Sequence, residues 1–344
     1  MKKYLPVCLY SFLFSFAAFS QRAKIILPSD SVLKVFMDST KVLALGIGVI
    51  ENEEIKQIKV LGELKEGVPA PENSIFQVAS LTKPITEITT LRLVSNGLWD
   101  LDEPLFHYWV DPDVKDDPYH KLLTTRHIIS HRTGFVNWRW LHSSGKLHFD
   151  FEPGTKTQYS GEGLEYLKRS LENKFRMSFE KIVAKYLFVP DGMYDTHFNW
   201  DSTINENLYA VAHNREGKPY EIRKNTEVSA ADLLMTTVKD YTQFGVNVLK
   251  KKDLNKKVYS EMITYQSADK KFGLGWELFK NLKNNELALI HSGSDPGVRT
   301  IIILLPKSKR GLVIFTNSDN GMAIITYIIK QSLDIGQELI DRSK

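Results

Sequence analysis

Two blocks of strand-like sequence, one near each end of the chain, bracket a long stretch of helical pattern, and few folds satisfy that order. Val42 to Glu51 and Ile55 to Gly62 are β-rich runs separated by Asn52 and Glu53, which reads as a hairpin. From Leu81 to about Tyr265 the pattern is mostly helical with long polar connections. Strand character then returns in Phe272–Phe279, Leu287–His291, Val298–Leu305 and Gly311–Asn317, short runs punctuated by Asn284, Gly293, Pro296 and Lys307, as in a meander. Ala323 to Ile340 carries apolar residues at helical spacing. The order predicts an α/β (α+β) fold: one antiparallel central sheet formed by N- and C-terminal strands, flanked by helices, with an inserted mostly helical region. The sheet part is expected at about 21–80 and 266–344 and the helical region at about 81–265, with a catalytic site at the seam. No internal repeat or Pro-rich linker divides the chain.

The first twenty residues stand apart. Lys2 and Lys3 precede an apolar run from Leu5 to Phe19 that ends in Ala18-Phe19-Ser20, the pattern of a secretory signal peptide. The run is short for a membrane span, so the reading is a signal at 1–20, a mature domain at 21–344, and no stable membrane anchor after cleavage. Cys8, the only cysteine, lies inside that signal. The mature chain would then have no disulfide, cysteine nucleophile or thiolate metal site. An exported protein of a bacterial periplasm, or a secreted one, fits these features. The net charge of +4 arises from 45 basic and 41 acidic residues that are scattered, so no nucleic-acid partner is expected. There is no Gly-x-Gly-x-x-Gly or phosphate-loop pattern, hence no expected nucleotide cofactor. His127 and His131, four apart, would share a helix face, but no His-Glu-x-x-His completes a metal site. They read as a structural pair, and neither metal nor cofactor is expected.

A Ser-x-x-Lys pair places a hydroxyl and an amine about one helical turn apart, so that the amine can take the proton as serine attacks a carbonyl. Five such pairs begin at Ser31, Ser80, Ser143, Ser178 and Ser267, and context must choose among them. Apolar Ile75, Phe76, Val78 and Ala79 lead into Ser80, and Leu81, Ile85, Ile88, Leu91 and Val94 follow at helical spacing. Pro84 fits only a first helical turn, which fixes the helix start beside Ser80. Asn96-Gly97 is a good helix end. Ser80 is thus expected where free N–H groups and the helix dipole favour developing negative charge. Lys83 in that apolar setting would be desolvated, which favours the neutral amine a general base requires. Ser178 reads instead as an N-cap, Ser143 as part of a Ser-Ser-Gly loop, and Ser31 and Ser267 as polar and exposed.

Phe76-Gln-Val-Ala-Ser-Leu-Thr-Lys83 resembles the first motif of the class C β-lactamase and D-alanyl-D-alanine carboxypeptidase family. Asn96-Gly-Leu-Trp-Asp-Leu-Asp-Glu-Pro-Leu105 and Thr124-Thr-Arg-His-Ile-Ile-Ser-His-Arg-Thr-Gly134 resemble the segments that follow. Phe151-Glu-Pro-Gly-Thr-Lys-Thr-Gln-Tyr-Ser-Gly161 looks like the approach to that family's Tyr-x-Asn motif, and His291-Ser-Gly-Ser294 like its third motif, Lys-Thr-Gly or His-x-Gly, on the sheet's edge strand. The resemblance implies Ser80 as nucleophile, with Lys83 and Tyr159 handling protons. It implies an oxyanion hole from the N–H groups of Ser80 and Ser294, with Gly293 letting substrate backbone approach. Two positions depart from the pattern: Gly161 has no amide to hold a substrate carbonyl, and His291 is a weaker cation than lysine. Efficient β-lactamase action is therefore not expected. The implied function is an exported serine hydrolase that acts through an acyl-enzyme on a small-molecule or peptide substrate, a cell-wall-type peptide or an ester. The alternatives are a catalytically weak peptidoglycan- or peptide-binding protein, or a true β-lactamase.

Overall fold

A computed structural model describes residues 24–267 and 269–343; the expected signal at 1–20 lies outside them. The central sheet has seven strands, all antiparallel. They are β1 (Ala44–Glu51), β2 (Glu54–Lys65), β3 (Val68–Pro69), β6 (Glu277–Leu282), β7 (Glu286–Asp295), β8 (Val298–Leu305) and β9 (Arg310–Thr316), in the order β3-β2-β1-β9-β8-β7-β6. Asn52 and Glu53 both have positive φ, the turn geometry that matches the twist of a hairpin. The pairing of β1 with β9, from Leu45↔Thr316 to Glu51↔Arg310, joins the two ends of the chain into one sheet. β4 (Ile75–Gln77) and β5 (Met235–Thr237) form a separate two-stranded ribbon.

Side chains alternate across the sheet, and each face is covered. Leu45, Ile47 and Val49 of β1 pack with Leu33 and Met37 of helix α1 (Asp30–Thr40) and with Ile324, Ile325 and Ile328 of the helix Gly321–Ser332. The other face meets the helix Val238–Leu249. The glycines that alternate with those β1 residues make that approach possible, since a Cβ on Gly48 would lie 1.8 Å from Thr242 Oγ1. Beyond that helix lies the helical region, whose centre is α2 (Thr82–Ser95). Every residue of α2 from Thr82 to Leu93 is buried, including Lys83, Glu87 and Arg92. Arg92 makes a bidentate pair with the equally buried Asp191, at 3.0 and 2.8 Å.

Three local expectations change. The first strand of the meander begins at Glu277 rather than Phe272, because Gly273 to Gly275 turn the chain, with Gly275 at φ +83°. Met235–Thr237 is a strand inside the stretch read as helical, held by three pairs to β4. The terminal helix is two, Gly321–Ser332 and Gly336–Arg342, broken where Leu333 is extended and Asp334 pairs with Arg310 at 2.9 Å.

Candidate active site

β4 runs directly into α2 through a single turn of 3-10 helix, Ala79–Leu81, so Ser80 sits just ahead of the first α-helical residue. Ala79 is fully buried and has φ +49°, a conformation costly for a residue with a Cβ. The turn is held from several sides. Thr82 Oγ1 donates to Ala79 O at 2.7 Å and accepts from Leu234 N at 3.1 Å, while Tyr241 Oη donates to Leu81 O at 2.7 Å. Lys83, completely buried, directs Nζ to Ser80 Oγ at 3.0 Å and to Ala231 O at 2.7 Å.

Tyr159 lies two residues before α4 (Gly161–Phe175), and its ring centroid is 4.9 Å from Lys83 Nζ. Its other neighbour is His131, whose ring is 4.4 Å away and whose Nδ1 accepts from Ser160 N at 3.3 Å. His131 does not share a helix face with His127. Helix α3 (Thr125–Ile129) ends before it, and His131 itself has φ +55°. Burial, then the positive charge of Lys83, hold His131 well below its ordinary pKa, so it is neutral against the tyrosine. Gly161 faces Trp138: a Cβ there would lie 2.7 Å from the indole, which stacks on Trp140 and comes within 5.9 Å of Lys83 Nζ.

His291, Gly293 and Ser294 lie on β7, which is not the edge strand expected for them. The true edge strand, β6, ends its pairing at Glu277↔Ile290, so the segment from His291 to Asp295 runs on with one side unpaired by the sheet. Gly293 admits a close approach by the protein's own chain. A Cβ there would lie 2.2 Å from Val78 O and 2.3 Å from Thr300 Oγ1, and Thr300 Oγ1 donates to Val78 O at 2.9 Å. β7 is thereby brought against the Ser80 turn, with Ser294 exposed beside it. His291 is nearly buried and its Nδ1 donates to Ser292 O at 3.0 Å. Burial first and Lys83 second push its pKa down to about 3, so it is a neutral imidazole rather than a weak cation.

Two recesses are lined by neighbours of Lys83, though not by Ser80 or Lys83 themselves. One, of about 370 Å³, is lined by Tyr159, His291, Ser292, Phe272 and Lys271. The other, about 830 Å³, is lined by Trp138, Tyr166, Asp232, Leu233 and Asp295 among others. Burial, with the nearby charge of Asp232, raises the Asp295 carboxyl to about 6. Glu87, one turn beyond Lys83, is fully buried and neither carboxyl oxygen has a hydrogen-bond partner among the described residues. Burial raises its pKa well above the ordinary range against the opposing pull of Lys83.

The remaining Ser-x-x-Lys pairs lack such a setting. Ser31 bonds Ser29, Ser143 is exposed, and the Ser178 hydroxyl bonds Glu180 rather than the helix N–H groups. Ser267 is buried, contrary to expectation, because its hydroxyl accepts from the N–H groups of Lys271 and Phe272 in the turn before β6. Sequence reasoning missed Trp138, His131 as a neighbour of Tyr159, and the Ala231 carbonyl. Trp138 and Ala231 stand in none of the quoted motifs, and His131, although inside the Thr124–Gly134 segment, reads there as the partner of His127.

The family model described as Beta-lactamase matches residues 30–330. The chain is 23% identical to "Penicillin-binding protein 4*" of Bacillus subtilis (strain 168), over 82% of this chain and 71% of that one. It is 27% identical to "Esterase EstB" of Burkholderia gladioli over 49% of each. Among solved structures, the D-alanine carboxypeptidase AmpC from Burkholderia cenocepacia superposes with a TM-score of 0.71 at 16% identity, covering 87% of this chain and 96% of that one. A class C β-lactamase from Rhodobacter sphaeroides gives 0.69 at 15%, covering 87% and 97%. With a seven-stranded antiparallel sheet and helices on both faces in common with these folds, and a family match that spans most of its length, the chain belongs to the Beta-lactamase family of serine β-lactamases and penicillin-binding proteins.

Proposed function

We propose that the protein is an exported serine hydrolase that cleaves ester or amide bonds through an acyl-enzyme, with a D-alanyl peptidase-like or esterase activity. The observation that carries this reading is the 3.0 Å contact between Lys83 Nζ and Ser80 Oγ in a buried setting. Ser80 Oγ attacks the substrate carbonyl carbon as its proton passes to Lys83 or Tyr159, and the carbonyl π pair moves onto oxygen. The N–H groups of Ser80 and Ser294 receive that oxyanion. Collapse expels the alcohol or amine, protonated through Tyr159, and water attacks the resulting ester by the reverse proton path.

The same reading places β-lactams among the poorer substrates. His291 is uncharged and Gly161 offers no amide, so two groups for a β-lactam's carboxylate and amide are missing. The names of its relatives, an esterase and a D-alanine carboxypeptidase among them, support the ester and peptide classes. The test compares kcat/KM for p-nitrophenyl esters, short D-alanyl peptides and cephalosporins. The first two classes are expected to lead, and a cephalosporin preference would overturn the assignment of substrate class.

A further inference from the structure

A second cluster of chemistry-bearing side chains lies outside the Ser80 site, in the stretch of chain between Trp138 and Tyr159. One donor atom from each of His142, His148 and Asp150 lies within 4.8 Å of the others. Asp150 Oδ1 is 3.3 Å from His148 Nδ1 and 3.9 Å from His142 Nε2. The two imidazole rings are 3.5 Å apart between centroids. His142 Nε2 is buried and has no hydrogen-bond partner among the described residues, although it faces the carboxylate. An orphaned ring nitrogen beside a second ring nitrogen and a carboxylate oxygen is what a metal site presents before the ion is added.

Tetrahedral zinc with bonds near 2.0–2.1 Å holds its ligand atoms about 3.3 Å from one another. The His148–Asp150 pair already has that spacing, whereas His142 must move in and the two closely spaced rings must part for both to reach one ion. The carboxylate is already oriented. Gln158 Nε2 donates to Asp150 Oδ2 at 3.1 Å, leaving Oδ1 for the imidazoles, and Asp150 N donates to Gly134 O at 2.8 Å. Two imidazoles and one carboxylate suit zinc or a similar first-row divalent ion, not magnesium or calcium, which favour all-oxygen sets.

We infer that His142, His148 and Asp150 form a binding site for a divalent transition-metal ion of the zinc class, with a fourth position left to water. The ion closes the excursion from residue 142 to residue 150. Its tie through Gln158 reaches the residue directly before Tyr159, so the site braces the chain that delivers the tyrosine. It takes no part in bond cleavage.

The test uses tag-free full-length protein stripped with a chelator, then titrated with ZnCl2 by calorimetry and with CoCl2 by visible absorption, and assayed for metal content after gel filtration. One equivalent of zinc is expected, with the intense visible bands of low-coordinate cobalt and a thermal midpoint that rises with added zinc. His142→Ala and His148→Ala should each abolish stoichiometric binding. Asp150→Asn, which keeps a group for Gln158, should weaken it at least tenfold. A wild-type protein that retains no zinc, or binding that persists in both histidine variants, would leave His148 and Asp150 as a plain ion pair and overturn the inference. The titration of wild-type protein decides this even if a variant fails to fold, and it does so independently of hydrolase activity.

Discussion

The indole of Trp138 occupies the space that any side chain at Gly161 would need, with a Cβ at position 161 falling 2.7 Å from the ring. The two are locked together from both sides. Asn137 Oδ1 accepts from Gly161 N at 2.9 Å, and Arg139 reaches Glu162 at 2.8 Å, so the residues flanking Trp138 grip the start of α4. At Gly161 the indole of Trp138 thus fills the space that a side chain on the tyrosine motif would take.

That pairing predicts a coupled cost. Gly161→Ala should destabilise the protein by about 1–3 kcal/mol, the usual penalty of overpacking. In a Trp138→Ala background the same substitution should be nearly neutral. Chemical denaturation of the four proteins in a double-mutant cycle measures the coupling, and additive effects would show that the indole does not fill the space.

Lys83, Tyr159 and His291 should divide their labour. Lys83→Ala and Tyr159→Phe are expected to lower kcat by roughly two to four orders of magnitude, the scale of general acid-base catalysis. His291→Ala should raise KM and leave kcat within about tenfold. With its pKa down at about 3, His291 is neutral across the working range, so its removal should erase no limb of the kcat/KM profile between about pH 5 and 8. Steady-state kinetics on one ester decides it. Loss of turnover in His291→Ala with Tyr159→Phe still active would make the histidine the proton shuttle.

Glu87 should make stability depend on pH. Its folded-state pKa is raised by burial above the unfolded value, so in the window between them the folded protein holds a proton that the unfolded chain releases. The associated stability is present at low pH and is lost as pH rises above about 4.3, the ordinary glutamate value. Relative to Glu87→Gln, the wild-type Tm should therefore fall between about pH 5 and about pH 8. Parallel curves for the two proteins would mean that Glu87 carries no such penalty.

Much of this was legible in the sequence where local chemistry and periodicity agree. Asn52-Glu53 between two β-rich runs announces the hairpin, and Pro84 with Asn96-Gly97 brackets α2 closely. Met235–Thr237 was not legible, since three residues held by pairing to β4 carry no periodicity of their own. Nor were the supporting groups around Ser80. His131 reads as the partner of His127 at helical spacing, yet α3 stops at Ile129, and the ring turns to Tyr159 instead. Gly293 reads as letting substrate backbone approach the strand, and nothing in the sequence signals that Val78 of the Ser80 turn also approaches it closely.

The account rests on Ser80 as the one activated serine, and an irreversible probe tests that most directly. Wild-type protein and Ser80→Ala are treated with a fluorophosphonate, weighed intact, and mapped by peptide mass. A single adduct on Ser80, absent from Ser80→Ala while circular dichroism shows the variant folded, is the predicted result. No adduct on wild type, or one on Ser31, Ser143, Ser178 or Ser267, would contradict it.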